Sequence, residues 1–466
     1  MRNLSPQYPA LPQSLTKMNS IHQRLLCLVA LLAVLATGSL QLTAQEEAPP
    51  VFSLKQAVDY AMSNSNAIRN AQVDILDAEQ YVKERLSTGL PQIDGSLNYT
   101  RYLKVPQVPL PAAFTMGDPN APESISFQQK NSFTAGLNAR GMLFDGSFFV
   151  GLRAARASGD YYNLQLENTQ RTVRSQVTRA YFPVLLLKTN VVILDRNIAN
   201  LEKLFNETNA QYEAGFVEQL DVDRLVLSLN NLRSQRDQVG TQAENALRAL
   251  KFTINYPIDE PMRVEDDLDK LETGIEVAAL TSDIPFLQRP EIRLLDKTIE
   301  LQGMNEELEK SAYLPTVYAS LAAQYAYQGD NFKDGFWAPT ILLGLNASIP
   351  IYDFGGRKAR VARASLATQK VINQRNDVQR SVQLEVLNAR ATFTANNDRL
   401  AVTKSNLELA QRIYDVTQVK YREGVGSSIE IVQAEQALYE SQANFLNALY
   451  ETLVAKEDLF LALGRN

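Results

Sequence analysis

Gly344-Leu345-Asn346-Ala347, then Tyr352-Asp353-Phe354-Gly355-Gly356, then Arg360-Val361-Ala362-Arg363-Ala364-Ser365: this stretch decides how the chain is built, because it is written twice. Gly136-Leu137-Asn138-Ala139, Phe144-Asp145-Gly146 and Ala154-Ala155-Arg156-Ala157-Ser158 stand in the same order about 208 residues upstream. Farther on, Tyr212-Glu213-Ala214-Gly215 followed by Asp221-Val222 is echoed by Tyr421-Arg422-Glu423-Gly424 followed by Glu430-Ile431. Solenoid repeats run roughly 20–50 residues. A far longer period means a duplicated half-molecule.

Upstream of each repeated turn lie two alternating segments. Ile93, Leu97 and Tyr99 alternate with Asp94, Ser96, Asn98 and Thr100. Phe133, Ala135, Leu137, Ala139 and Leu143 oppose Ser132, Thr134, Asn138 and Arg140. In the second copy Val317, Ala319, Leu321, Ala323, Tyr325 and Tyr327 oppose Thr316, Ser320, Gln324 and Gln328. Ile341, Leu343, Leu345, Ala347 and Ile349 oppose Thr340, Gly344, Asn346 and Ser348. Period two predicts strands, and about ten residues is the length of a tilted membrane-spanning strand. Tyr99, Tyr102, Tyr325, Tyr327 and Trp337 sit where an aromatic girdle belongs. A soluble sheet with one wet face is the competing reading. The strands of the first pair are joined by a Pro-rich exposed loop, 105–122, and those of the second by a short polar loop.

Helices surround the strands. Residues 51–90 predict one helix with Ser53 as N-cap, a stripe of Ala57, Ala61, Ile68, Val73 and Leu76, and Pro91 as stop. Residues 147–250 and 355–462 predict long helices with one break each, near Gly215 and near Gly424–Gly426. Leu225, Leu229, Leu232, Arg236, Val239, Ala243, Ala246 and Leu250 keep 4-3 spacing, as do Ala434, Leu438, Ser441, Phe445, Ala448, Thr452, Ala455 and Leu459. That is coiled-coil packing. Pro183 is expected to kink the first long helix.

Composition narrows the function. A basic stretch ending at Arg24, an apolar run from Leu25 to Gly38 and Ala44 read as a secretory signal peptide, 1–44, with Met18 as a candidate start. Cys27 lies inside the apolar run behind Leu26, so no lipid anchor is expected. The rest of the chain shows no other apolar run of membrane length. Removing 1–44 takes away Arg2, Lys17 and Arg24 and no acid, so net −6 becomes −9, and it removes the only Cys and the only His. Thiolate and imidazole chemistry, zinc sites and Ser-His-Asp triads are thereby excluded. An acidic chain without a strong basic cluster argues against nucleic acid. No cofactor, metal or enzyme activity is expected, and Asp353-Phe354-Gly355 matches a kinase motif only by coincidence.

Sheet edges are not tolerated in hydrocarbon, and single-chain barrels need at least about eight strands. Four strands placed in a membrane must therefore be pooled among copies.

These features together resemble the TolC-like outer-membrane efflux proteins. The resemblance covers the whole mature chain and rests on Leu90-Pro91 and Leu314-Pro315, the Tyr352–Gly356 turn, and Tyr-x-x-Gly turns followed six residues later by an acid. It implies a mixed, mainly α fold: long coiled-coil α-barrel helices plus four membrane strands per chain, forming one β-barrel shared by a homotrimer. The implied organisation is a helix over 45–90, an outer-membrane strand pair over 91–145, a periplasmic hairpin over 146–256 and a linker over 257–290. A helix over 291–314, a strand pair over 315–353 and a hairpin over 354–466 repeat it. Its implied partners are outer-membrane lipid, a periplasmic adaptor and an inner-membrane pump. The alternative is a secreted coiled-coil scaffold or adhesin with a soluble sheet.

The resemblance also points to site residues. Asp221, Tyr421 and Glu430 match channel-gate positions, with Tyr421 bonding Asp221 across the repeats. Symmetry copies of an acid around a narrow axis would attract cations, whereas a solvated acid favoured by a helix dipole is the plainer reading. Gln433 and Gly426 depart from relatives that carry a second acid and a locking Arg there, which implies weaker closure. Gly215, Gly424 and Gly426 mark turns where the adaptor would dock, and a turn between long helices needs φ > 0. Arg153, Arg156, Arg357, Lys358, Arg360 and Arg363 read as a solvated helix face or a lipid-headgroup contact.

Overall fold

The computed structural model describes residues 49–110, 122, 124–268, 271, 280–281 and 283–464. The expected signal peptide, 1–44, lies outside them. The described residues of 51–260 and 264–464 form one unit, which contains every element described below, and residues 49–50 and 261–263 fall outside it.

The helix expected over 51–90 is two helices. Ser53 caps α1 (Leu54–Asn64) through a reciprocal pair: the Gln56 amide donates to Ser53 Oγ at 3.3 Å and the Ser53 amide to Gln56 Oε1 at 2.8 Å. Ser65 then turns extended (φ −60, ψ 127) before α2 (Asn66–Ser87). The break resets the helical phase. Ala57, Ala61 and Ile68 are buried as the spacing requires, but past Ser65 the buried face continues through Ala71 and Ala78, leaving Val73 59% exposed.

The four long strands among the described residues are β1 (Gln92–Arg101), β2 (Asn131–Asp145), β3 (Thr316–Gly329) and β4 (Phe336–Ser348). They form one antiparallel sheet in the order β1-β2-β3-β4, so the two repeats meet between β2 and β3. Register aligns the alternation across all four strands. Ile93, Ala139, Leu321 and Leu343 form one row, and Leu97, Ala135, Tyr325 and Pro339 another. Asn98, Thr134, Ala326 and Ala338 lie on the opposite face. Leu143 falls in a bulge between Met142 and Phe144. The apolar face is uncovered: Leu97 is 75% and Leu343 83% exposed. Among the described residues, β1 and β4 each pair along one side only.

Aromatics crowd the end of the sheet near 329–337. Tyr327 stacks on Phe332 at 5.6 Å between ring centroids, with Trp337 at 5.1 Å, and its hydroxyl donates to the Asn331 carbonyl. Gly335 lies flat against this ring, where an added Cβ would come within 2.0 Å of it. Gly335→Ala is expected to destabilise by about 1–3 kcal/mol through overpacking. Trp337 is the only Trp of the chain, so its fluorescence reports the displacement, and an unaltered spectrum and melting curve would contradict the contact.

Long helices follow each strand pair: α3 (Gly146–Glu213) and α4 (Gln219–Thr253), then, after α5 (Pro290–Ser311) and β3-β4, α6 (Gly356–Arg422) and α7 (Ser428–Ala462). At 1.5 Å per residue, α3 spans roughly 100 Å. It runs on as helix through Pro183. Most of the 4-3 positions are its partners' core: Leu225, Leu250, Ala448, Thr452 and Leu459 are at 0% exposure, whereas Arg236, Ala243, Ala246, Ser441 and Phe445 are only half-buried. One 18-residue window of α3 does reach a mean hydropathy of 1.4, contrary to the expectation of no such run. Its apolar residues have packing partners, since Val177, Tyr181 and Leu185 are fully buried.

Candidate functional site: the paired helix turns

Both turns close by the same backbone device. Ala214 ends α3, Gly215 takes φ +80, the Phe216 amide donates to the Gln211 carbonyl at 2.9 Å, and the Gly215 amide to that of Tyr212 at 2.9 Å. Glu423, Gly424 (φ +75) and Val425 repeat this at the end of α6, with bonds of 3.0 and 3.1 Å to Lys420 and Tyr421. These are Schellman motifs, which put the left-handed residue just past the cap, where a Cβ would be strained. Gly426 differs. Its φ is not positive; it is small because a Cβ would lie 3.2 Å from the Tyr421 amide.

Among the described residues, the turns of the two repeats touch through four polar contacts. Ser428, at the first residue of α7, donates to Asp221 Oδ1, and Arg224 Nη1 donates to Ser428 Oγ at 2.8 Å while lying 3.5 Å from Asp221. Arg422 pairs with Glu207 at 2.9 Å. Tyr421 Oη lies 3.3 Å from Thr208 Oγ1. The resemblance implied a Tyr421–Asp221 bond, and the structure distributes these groups otherwise. Ser428 and Arg224 already occupy the Asp221 carboxylate, and Tyr421 is buried against α3. Burial pushes the Tyr421 phenol up, Thr208 opposes this, and the nearby Asp221 charge adds to it. Glu430 is exposed, and its amide is capped by Ser427 Oγ at 3.3 Å. Exposed apolar residues surround the contact, among them Phe216 at 81% and Val425 at 77%.

A second polar cluster was not foreseen from the sequence. Arg289, 3% exposed, donates to the carbonyls of Leu461 (2.8 Å) and Ala462 (2.6 Å) and to Glu385 (2.7 Å), with Glu291 at 3.2 Å. Arg171 reaches the Leu461 carbonyl as well and lies 3.6 Å from Glu291, but its Nε is buried without a partner. Burial holds the Arg171 guanidinium below its ordinary range, Glu291 counteracts this, and Arg289 reinforces it. The cluster joins α3, α5, α6 and the end of α7. In the linker, Asp266 accepts from Tyr181 Oη (2.9 Å) and from the Leu54 amide (2.8 Å), tying it to α3 and α1.

The basic run after β4 is not one solvated face. Arg357 is 5% exposed, donates to the Pro350 carbonyl at 2.9 Å, pairs with Asp353 at 3.2 Å and lies over Tyr313. Arg360 pairs with Glu309 at 3.3 Å. Among the described residues no cluster of three or more His, Cys, Asp or Glu could hold a metal.

The profile of the family described as "Outer membrane efflux protein" matches residues 57–255 and 287–465, one segment per repeat. The chain belongs to that family. This outer-membrane efflux protein is 24% identical over 341 residues to the pyoverdine export outer membrane protein OpmQ of Pseudomonas aeruginosa, covering 72% of this chain and 70% of that one. It is 24% identical over 427 residues to the cation efflux system protein CusC of Escherichia coli O157:H7, covering 88% and 85%. Its fold matches the crystal structure of the CmeC outer membrane channel of Campylobacter jejuni, with a TM-score of 0.69 at 20% identity over 88% of this chain and 85% of that one. Membership in the family puts the protein in the outer membrane as an efflux channel and displaces the secreted-scaffold reading. The relatives are channel and efflux proteins rather than enzymes.

Proposed function

We propose that three copies pool their sheets into one twelve-stranded barrel across the outer membrane, and that α3, α4, α6 and α7 of the three build a periplasmic tube beneath it. The observation that carries this is the sheet: four strands, an uncovered apolar face, and, among the described residues, an unpaired side on β1 and on β4. An apolar face suits hydrocarbon, and an edge that hydrocarbon does not tolerate must meet another edge. The turns at Gly215, Gly424 and Gly426 are the docking surface for a periplasmic adaptor linked to an inner-membrane pump. Asp221, Tyr421 and Glu430 stand at the tube's entrance. Cargo is set by the pump; OpmQ is named for pyoverdine export and CusC for cations.

Light scattering of the detergent-solubilised protein tests the assembly. The expected protein mass is three times that of one processed chain, and the same sample should conduct in planar bilayers. A monomer that stays soluble without detergent would sink this reading.

A further inference from the structure

One buried acid has no part in the turn contacts. Glu435 of α7 is 1% exposed, and no other carboxylate side chain among the described residues is as buried. It follows Ala434 and precedes Leu438, both members of the apolar cluster that joins α3, α4, α6 and α7 through Leu201, Leu225 and Ile431. Among the described residues its hydrogen-bond partner is Tyr439 of its own helix, and no cation pairs with it. From α6, Tyr414 completes the polar group, held by Gln418 at 3.1 Å. Arg422 and Asp415 act on Tyr414 rather than on the acid, and α3 and α4 contribute apolar side chains of the cluster.

We propose that Glu435 is a proton-operated switch for the second helix turn: protonated, it lets α7 pack into the leucine core; ionised, it places an unpaired charge there and loosens α7. The charge has no counter-ion to offset its desolvation. Ser428 lies two helical turns upstream on α7, so loosening this segment slackens the Ser428–Asp221 contact. That last consequence, channel opening, rests on the function proposed above; the packing change does not.

The direction follows from burial. Burial pushes the Glu435 carboxyl up to about 7, and the Tyr439 bond only partly opposes it. A carboxyl released to water ionises in the ordinary range, near 4.5. Packing is therefore at full strength below that range, weakens as pH rises from it, and is weakest above about 7. The packed-to-loosened ratio should change by on the order of 10²-fold across this window.

Two readouts on the full-length protein separate the ideas. Hydrogen exchange of residues 428–440 in detergent, corrected for intrinsic rates, should lose protection as pH rises from 5 to 8 in the native protein and stay level in Glu435→Gln. Open probability in planar bilayers should rise over the same range in the native protein and lose that step in Glu435→Gln. A pH step in exchange that persists in Glu435→Gln overturns the switch. Level exchange in the native protein does so too. A normal exchange step in a protein that conducts at no pH overturns the channel reading instead. If Glu435→Gln folds poorly, Glu435→Leu serves, with the same level profile expected.

Discussion

Arg289→Ala should lower the unfolding free energy by about 3–5 kcal/mol, the range for breaking a buried, hydrogen-bonded charge cluster from one side. The guanidinium is 3% exposed and bonds two carbonyls of the last turn of α7 together with Glu385 of α6. A helix leaves its last four carbonyls without intrahelical partners; here Leu461 also accepts from the Gly464 amide at 3.0 Å, so the Ala462 carbonyl depends most on Arg289. Without Arg289 both carbonyls lose a fixed donor. Two features soften the loss: Glu385 is half exposed and can turn to water, and Arg171 is relieved of a like charge. Arg289→Lys should restore only part, since one ammonium cannot span carbonyls and carboxylates as a planar fork does. Denaturant unfolding in detergent, with all variants compared under one protocol, measures this. A loss under about 1 kcal/mol for the alanine variant would mean that the cluster does not hold the helix ends.

The second large effect belongs to the contact between the turns. Asp221→Ala should leave Ser428 without its acceptor and Arg224 without its ion-pair partner, and Arg422→Ala should remove the ion pair with Glu207. Exposed ion pairs are each worth about 0.2–1 kcal/mol, and a charged hydrogen bond such as Ser428–Asp221 about 1.5–3 kcal/mol. Asp221 is only 23% exposed, so its share is the greater. A bias of 1–2 kcal/mol changes a two-state ratio by roughly 5–30-fold. Single-channel recordings should therefore show open probability raised by about that factor in Asp221→Ala, more in the double variant. Glu430→Ala should change cation selectivity instead, because that acid is exposed and unpaired among the described residues. Recordings in which neither opening nor selectivity moves would remove both acids from the entrance.

The architecture was largely legible in the chain because it depends on periodicity. Alternation located four strands, 4-3 spacing located the buried seams, and the duplication tied them into two copies. Gly215 and Gly424 were legible for a local reason: a turn between two long helices needs one left-handed residue. Three things were not. Ser65 breaks a helix without Pro or Gly, so the stripe through Val73 and Leu76 was projected onto the wrong face. Asn255 takes φ 60 at the end of α4, a position where Gly is the expected signal. Most of the turn contact was hidden as well. Ser428 reads as an ordinary residue at a helix start, and nothing in its neighbourhood names Asp221, which is 207 residues away. Arg171, Arg289 and Glu435 were missed for the same reason: a buried charge is recognised by its partners or by their absence, and partners far apart in sequence leave no pattern.

The duplicated halves also share their contact unevenly. Asp221 and Glu430 hold matching places, yet one carboxylate is occupied by Ser428 and Arg224 while the other is free at the surface. Arg224 matches Gln433, which cannot take the same role. Two near-copies thus present one locked and one solvated acid.

The cluster around Arg289 has a bearing on biogenesis. Arg171 finds its carbonyl acceptor 290 residues later in the chain, and Arg289 finds its own 172 residues later. Both guanidiniums are committed to the interior by helices made early, and both wait for the last turn made. A chain cut short before Leu461 would lose the carbonyl acceptors of both and leave the two cations to Glu291 and Glu385. The end of α7 therefore completes this cluster late in synthesis, after the helices that carry both guanidiniums have been made.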